Sequence, residues 1–481
     1  MKYDTDQITE SQVEHQAALR VQSDALRLAQ DDSKLYEDYF ASDECVTGFG
    51  YGGSESMTLF LQKPGKEKYV RKVLSERLVT PEWNRKGKDV MLPPCPKAKS
   101  QTQYLMNLPN SVKPLFPQVL DITERTYSAQ PEESTGLYYE YIYDMTFVPG
   151  IEVSQFVRNY RPSKEIVAAL YGIIFQILKQ KIHSQRRRKP LFPTLEQSYF
   201  SKIEKRLALA QKTAPKTFSN ELLKAEMIAI NGVEMLNIPS LLQEFRNNPV
   251  YREILEPSFH CLVVGDTNTE NIKIGNIEPL LKKWDNFSVN NPPFTAEDLE
   301  IRFLDPRAIG FHEDGVDTGA DDYMYDNKPW HNSLGNYDKI HGEHFDLTYS
   351  FWKIPRLAIA FHEDNPYEYS YQCIEEHFKE VMSAVWELDN FNSDVNQNDP
   401  NWLVRFTFLM GTHFMAMPPF HFSKNEDSIL VDEADHQRRP LAIYAEGIKW
   451  LNLALDMLQG NVKNFHGFSV PIALPEERLA A

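Results

Sequence analysis

Asp266 and Asn271 lie in the run Leu-Val-Val-Gly-Asp-Thr-Asn-Thr-Glu-Asn-Ile-Lys-Ile, residues 262–274, between two short apolar stretches with strand character. A second strand-like stretch, residues 301–307, carries Asp305 just before a proline. A carboxylate, an amide oxygen and a second carboxylate in this order meet the needs of phosphoryl transfer from a nucleotide. The first carboxylate accepts the proton of the attacking hydroxyl, and the other two groups hold Mg²⁺ on the phosphates. Hard oxygen donors suit that ion, which keeps several waters and takes only one or two carboxylates. Asp266 is therefore the candidate base, and Asn271 and Asp305 are the candidate metal ligands. Each has a plainer reading when taken alone: a turn Asp capping its loop, an Asn bonded to its own loop, a strand-end Asp before Pro. It is the ordered set that points to chemistry.

Such a set has to be positioned, and the preceding chain supplies elements that suit it. Residues 46–54 are rich in glycine, and Gly52, Gly53 and Ser54 could form a turn whose backbone N–H groups approach anionic oxygens. An ordinary hairpin is the competing account. Strands are expected over 57–62 and 69–74, with a turn at Pro64-Gly65-Lys66 between them. Lys72 lies on the second of these and is the candidate phosphate lysine; alternation puts Val70 and Leu74 on its face and Arg71 on the other. A helix is expected near 97–107, then strands near 118–122 and 137–143. Residues 144–150 end in Val-Pro-Gly and read as a linker. Beyond them the pattern is mainly helical, with helices expected at 164–183, 196–211, 219–230, 240–247, 366–388, 401–416 and 440–459.

Together Gly52-Gly53-Ser54, Lys72, Gly265-Asp266 with Asn271, and Asp305-Pro306-Arg307 resemble the aminoglycoside phosphotransferase and choline kinase branch of the protein-kinase-like fold. Asp322-Tyr323-Met324-Tyr325-Asp326 and Ser333-Leu334-Gly335-Asn336-Tyr337-Asp338 resemble the paired Tyr-Asp run that follows the metal-binding Asp in sugar and polysaccharide members. The resemblance spans roughly residues 45–350. It implies an α+β two-lobe protein-kinase-like fold, with a small antiparallel sheet in an N-lobe over 41–148 and a large helical C-lobe over 149–481. It also implies ATP and Mg²⁺ as cofactors, with Lys72 on the phosphates and the 140–148 stretch, including Tyr143 and Met145, receiving adenine. The acceptor would be a hydroxyl or amine on a small molecule: a sugar or amino sugar, a choline-like amine or a natural-product intermediate. The chain departs from the family pattern at Val264, where a His usually precedes Gly-Asp. It departs again in the 97–107 helix, which offers Gln101 or Gln103 but no acid to pair with Lys72. Two alternatives stay open: a pseudokinase that binds a nucleotide or a partner, and a nucleotidyltransferase on the same fold.

Bulk properties narrow the classes further. At 481 residues the chain is too long for one ordinary core. Its net charge of −17 opposes binding to nucleic acid or to an anionic membrane, and suits a cationic substrate at most mildly. No apolar run is long enough for a membrane span. Cys45, Cys95, Cys261 and Cys373 are far apart, which argues against a disulfide framework or a thiolate zinc site. A cytoplasmic, reducing setting is expected, with residues 1–40 as a helical extension; oligomeric state is not legible. His331, His341 and His344, with His312, lack the spacing of a zinc helix. The acidic run Glu313 to Asp326 could face a cationic substrate or a second metal, although a solvated loop is the plainer account. The insertion 277–299 could shape the substrate mouth or form a surface excursion. The basic run Arg186–Lys189 fits a helix C-terminus better than an anion site.

Overall fold

The computed structural model describes residues 39–50, 57–75, 94–128, 137–284, 287–307, 309, 319–421 and 438–470. Residues 1–38 of the expected helical extension, the turn Gly52-Gly53-Ser54, and His312, Glu313, Asp314 and Asp317 lie outside them. The chain forms two compact units, Met1–Leu108 with Phe116–Val148, and Pro109–Leu115 with Pro149–Ala481. The architecture is α+β, with an antiparallel sheet in the first unit and a mostly helical second unit, as the sequence leads one to expect.

The first unit is a five-stranded sheet of β1 (Cys45–Gly50), β2 (Met57–Gln62), β3 (Tyr69–Ser75), β4 (Val119–Ser128) and β5 (Leu137–Thr146), in the order β1-β2-β3-β5-β4. Helix α1 (Pro94–Met106) lies between β3 and β4 in the chain. Two expectations need correction. The glycine-rich stretch is already strand over Val46–Gly50, with a bulge between Val46 and Gly48 that absorbs one residue. Asp144 to Thr146 are not linker; they extend β5, because the β-branched and aromatic run before them continues to pair with β3.

Alternation divides the sheet. Leu59, Leu61, Val73 and Ile142 form a core with Tyr39 on one face. Lys72 lies across from Thr58 on one side and Tyr143 on the other, so all three share the opposite face. On that face α1 contributes Gln101, whose Oε1 accepts from the Tyr143 hydroxyl, and Thr102, 2.6 Å from the Tyr141 hydroxyl. Gln101 is thus engaged by Tyr143.

Arg71 locks β3 to its neighbours. Its Nε and Nη2 bind the two carboxylate oxygens of Asp144 at 2.7 and 2.8 Å, and its Nη1 binds Glu44 and the Tyr39 carbonyl, both at 2.8 Å. A lysine cannot reproduce that fork. Arg71→Lys is expected to cost the first unit about 1–2 kcal/mol, read as a lower denaturant midpoint with an unchanged slope.

In the second unit, α2 (Lys164–Ile177) continues in wider turns through Leu178–Ile182 and is buried along almost its whole length. α3 (Ser201–Thr213) and α4 (Ile238–Asn247) follow. The helix expected over 219–230 stops at Leu223, and Met227–Ile230 is instead strand β6, paired with β7 (Val233–Leu236) across a tight turn at Asn231-Gly232. The sequence shows the cause: Met-Ile-Ala-Ile followed by Asn-Gly is a hairpin signal. This hairpin joins β12 (Phe345–Ser350) and β13 (Arg356–Phe361) in a four-stranded sheet that the helical reading missed. Between these, short strands β8 (Cys261–Leu262), β9 (Ile272–Ile274), β10 (Arg302–Phe303) and β11 (Ala320–Asp321) carry the candidate site. Helices α5 (Lys328–Ser333), α6 (Phe378–Trp386), α7 (Trp402–Met415) and α8 (Arg438–Leu458) complete the unit. α7 is buried at every position, and no helix among the described residues is long and apolar enough to cross a membrane.

Candidate functional site

The strands around Asp266 are short because their work is to hold a loop. β9 and β10 run antiparallel, with Ile272 opposite Phe303 and Lys273 opposite Arg302. The Leu304 N–H then donates to the Asn271 carbonyl at 2.7 Å. The ladder therefore delivers Asn271 and Asp305 to the same end of the pair. Two residues on, the Arg307 N–H donates to the Val264 carbonyl at 2.8 Å, which lays the Asp305 segment beside Gly265 and Asp266. The three candidates, 39 residues apart at the extremes of the sequence, converge by backbone hydrogen bonds alone. The excursion between β9 and β10 is tied at its neck, where the Gly275 and Asn276 N–H groups both donate to the Leu299 carbonyl at 3.0 and 3.2 Å. Within it, Thr295 and Asp298 cap a short helix reciprocally, and Trp284 donates to the Pro279 carbonyl at 2.9 Å.

Gly265 has φ +80°, and a Cβ there would stand 2.6 Å from the Arg307 carbonyl oxygen. Both the conformation and the space require glycine. Gly265→Ala is expected to cost about 1–3 kcal/mol and to displace Asp266, lowering turnover more than it lowers the melting temperature. Asp305 also occupies the left-handed region, at φ +48°. Such a residue outside glycine is uncommon and clusters where a side chain must be aimed.

The Val264 position shows how the loop is held without a histidine. The N–H groups of Val264 and Gly265 donate to the two carboxylate oxygens of Asp326 at 2.8 and 2.7 Å. His183, from the end of α2's extension, lies 3.0 Å from the same carboxylate, and the Thr267 hydroxyl donates to the Asp326 carbonyl at 2.9 Å. One turn on, the Thr269 N–H donates to Asn332, which in turn donates to Asp338 at 2.5 Å. Asp338 also accepts from the Tyr371 hydroxyl at 2.6 Å, and burial lifts its carboxyl to about 6 against the lowering effect of these donors. The paired Tyr-Asp run is thus a hydrogen-bonded bed beneath residues 264–269.

Asp266 itself is 2% exposed. Lys328 Nζ approaches its Oδ1 at 2.5 Å, Arg307 Nε approaches its Oδ2 at 2.7 Å, and Asn268 donates to Oδ1 at 2.9 Å. Burial pushes its carboxyl up, but Arg307 and Lys328 outweigh burial and hold it below the usual aspartate range. The group is therefore ionised and fixed in orientation. Sequence reading assigned no role to Lys328, Arg307 or His183. Arg307 stood in the quoted Asp-Pro-Arg motif and Lys328 two residues past the first Tyr-Asp, so both were visible as charges near motifs; His183 had no local signal at all.

The metal candidates fit a hard cation by their chemistry. The Asn271 amide nitrogen donates to the Asp266 carbonyl at 3.1 Å, which leaves the amide oxygen as its donor toward a cation. Asp305 supplies a carboxylate at the neighbouring position. Among the described residues no group of three His, Cys, Asp or Glu side chains could hold a metal. His341 instead lies 3.1 Å from Glu270, and His331 is fully buried.

In the acidic run, the described members are turned into the protein. Asp321 accepts from the Ser198 hydroxyl at 2.9 Å, Asp322 from the Tyr199 hydroxyl at 2.9 Å, and Asp322 also pairs with Arg405 at 2.5 Å. Arg187 of the basic run forks onto Asp394 at 2.5 and 2.7 Å and stacks 3.7 Å from the Phe259 ring. In the first unit Lys72 is partly exposed on its strand. Tyr143 and Met145 are buried, and their backbone takes part in the ladders with β3 and β4.

No protein-family model matches the sequence, and no curated protein matches it. Among solved structures, a microcompartment-associated aminopropanol kinase aligns over 93% of this chain and 100% of its own, at 11% identity and a TM-score of 0.37. An amicoumacin kinase in complex with AMP-PNP and Ca²⁺ aligns over 90% of this chain and 95% of its own, at 12% identity and a TM-score of 0.37. At these values neither likeness carries a function to this chain.

Proposed function

We propose that the chain is an ATP-dependent phosphotransferase acting on a hydroxyl or amine of a small molecule, with Asp266 as base. The observation that carries this reading is the convergence of Asp266, Asn271 and Asp305 through the β9–β10 ladder and the Arg307–Val264 bond. Asp266 is held ionised and aimed by Lys328, Arg307 and Asn268. A carboxylate with a depressed pKa is a weak base, which suffices where the transition state is loose and the proton leaves late. Its larger contribution is to align the acceptor oxygen. Asn271 and Asp305 would hold Mg²⁺, which when bound neutralises charge on the phosphates. Lys72, on the sheet of the first unit, is the proposed contact for the nucleotide phosphates.

The same ion pairs favour a second reading. A carboxylate clasped by two cations could be structural, and the chain would then bind a nucleotide or a partner without turnover. Thermal shift of the full chain with ATP and Mg²⁺, followed by product analysis, separates these readings. Phosphotransfer predicts stabilisation by mass action and release of ADP. Stabilisation without products supports the second reading, and release of pyrophosphate shows nucleotidyl transfer. Absence of any shift with every nucleotide tried would sink both the kinase and the nucleotide-binding readings.

A further inference from the structure

Asp266 is almost fully buried, so the way an acceptor hydroxyl reaches its carboxylate depends on what surrounds each oxygen. Oδ1 holds two donors, Lys328 Nζ at 2.5 Å and the Asn268 amide at 2.9 Å. Oδ2 faces Arg307 Nε at 2.7 Å. The two cations differ in how firmly they are held. The Lys328 side chain is 8% exposed and that of Arg307 is 41% exposed. Lys328 acts on the carboxyl through a hydrogen bond as well as its charge, and Arg307 through its charge. Lys328 also stands two residues from Asp326, the anchor of the Val264 and Gly265 N–H groups, so lysine and loop are fixed to one another.

An acceptor that bonds to this carboxylate has to displace one of the three donors. Displacing Lys328 strands a buried ammonium, which is costly, whereas a half-exposed guanidinium exchanges the carboxylate for water at little cost. Displacing Asn268 alone leaves Oδ1 still covered by Lys328. Arg307 is therefore the donor that yields. Its backbone is fixed on both sides: the N–H donates to the Val264 carbonyl and the carbonyl accepts from the Ile309 N–H, both at 2.8 Å. The part of Arg307 that moves is its side chain, and its movement leaves Gly265 and Asp266 in place.

We propose that Oδ2 is the working oxygen of Asp266 and that Arg307 guards it, covering Oδ2 until an acceptor hydroxyl takes its place. This rests on the phosphotransferase reading. In that reaction the acceptor oxygen bonds to the γ-phosphorus and the bond from that phosphorus to the β–γ bridging oxygen breaks. ADP leaves with the electron pair, and the acceptor proton passes to Oδ2. Water is an acceptor of the same kind, and its use wastes ATP. A true acceptor spends binding energy from its other contacts on displacing the guanidinium, and a water molecule has none to spend. Arg307 is thus a specificity-determining residue that discriminates against water.

Two measurements on the full chain test the guard. Labelling with a water-soluble carbodiimide and glycinamide, read by tandem mass spectrometry that separates Asp266 from Glu270, reports access to the carboxylate without any nucleotide. Asp266 is expected to label about fivefold faster in Arg307→Ala than in wild type, the factor that about 1 kcal/mol is worth. Arg307→Lys should fall between them, and Lys328→Met should give a smaller rise than Arg307→Ala. Equal labelling of wild type and Arg307→Ala, or a larger rise in Lys328→Met, overturns the proposal. The comparison with wild type decides alone if Lys328→Met does not fold, and Arg307→Lys takes the place of Arg307→Ala if that variant does not. The second measurement is ATP hydrolysis with Mg²⁺ and no acceptor, expected to rise about fivefold in Arg307→Ala. Unchanged or slower hydrolysis beside faster labelling overturns discrimination against water. Faster labelling with no ADP released by any variant overturns the phosphotransferase reading instead, and leaves Oδ2 as the accessible oxygen.

Discussion

Asp266→Asn is expected to lower turnover by about 10²–10⁴-fold while nucleotide binding persists. The amide keeps the size of the carboxylate, and one oxygen still accepts from Lys328. What it loses is the charge that takes the acceptor proton and the second ion pair, to Arg307. Arg307 is 41% exposed, so its loss of a partner is softened by water, whereas Lys328 at 8% is not. A stability cost of about 1–3 kcal/mol should therefore accompany the rate effect. The two are separated by measuring kcat at a temperature where both proteins are folded. If folded Asp266→Asn turns over like wild type, Asp266 is not the base. The pH dependence has a definite sign. The folded carboxyl lies below its ordinary value of about 3.9, so its ion pairs contribute stability above that pH and lose it as the pH falls through the folded value. Across neutral pH the base stays ionised, and no loss of rate on mild acidification is expected from this group.

The residues that could do chemistry were legible because their spacing is local: Asp266 and Asn271 share one loop, and Asp305 ends a nearby strand. The first unit was legible for the same reason, as alternating apolar residues and turn signals mark each strand. What could not be read was the support. His183 reaches Asp326 across 143 residues of sequence, and no pattern around His183 announces it. Lys202 meets Tyr325 only because the two elements that carry them pack together, across 123 residues of sequence. The strand at 227–230 was hidden by its length, since four apolar residues fit a helix as well as a strand until tertiary pairing decides, and its partners at 345–350 and 356–361 were given no element at all.

Asp326→Ala is expected to cost the second unit about 3–5 kcal/mol, a large share of the stability of an ordinary domain. The carboxylate accepts from the Val264 and Gly265 N–H groups at 2.8 and 2.7 Å and faces His183 at 3.0 Å, all in a region from which water is excluded. Alanine leaves two buried backbone donors and an imidazole to find other partners, and each unsatisfied group carries a desolvation penalty. Asp326→Asn should fall between, because one amide oxygen replaces two carboxylate oxygens and the amide nitrogen meets a donor instead of an acceptor. Equilibrium denaturation of the full chain measures both, and a change below about 1 kcal/mol for Ala would show that the loop is held by something else. The same variant bears on chemistry. Gly265 joins the anchored peptide to Asp266, so releasing its N–H allows the base to swing from the Asn271–Asp305 end of the ladder. Turnover should drop even in the fraction that stays folded, and His183→Gln, which can still donate to Asp326, should retain most of both stability and rate. The carboxylate beneath the loop holds the Val264 and Gly265 N–H groups, so the loop is ordered at residue 264 through its backbone and needs no hydrogen-bonding side chain there.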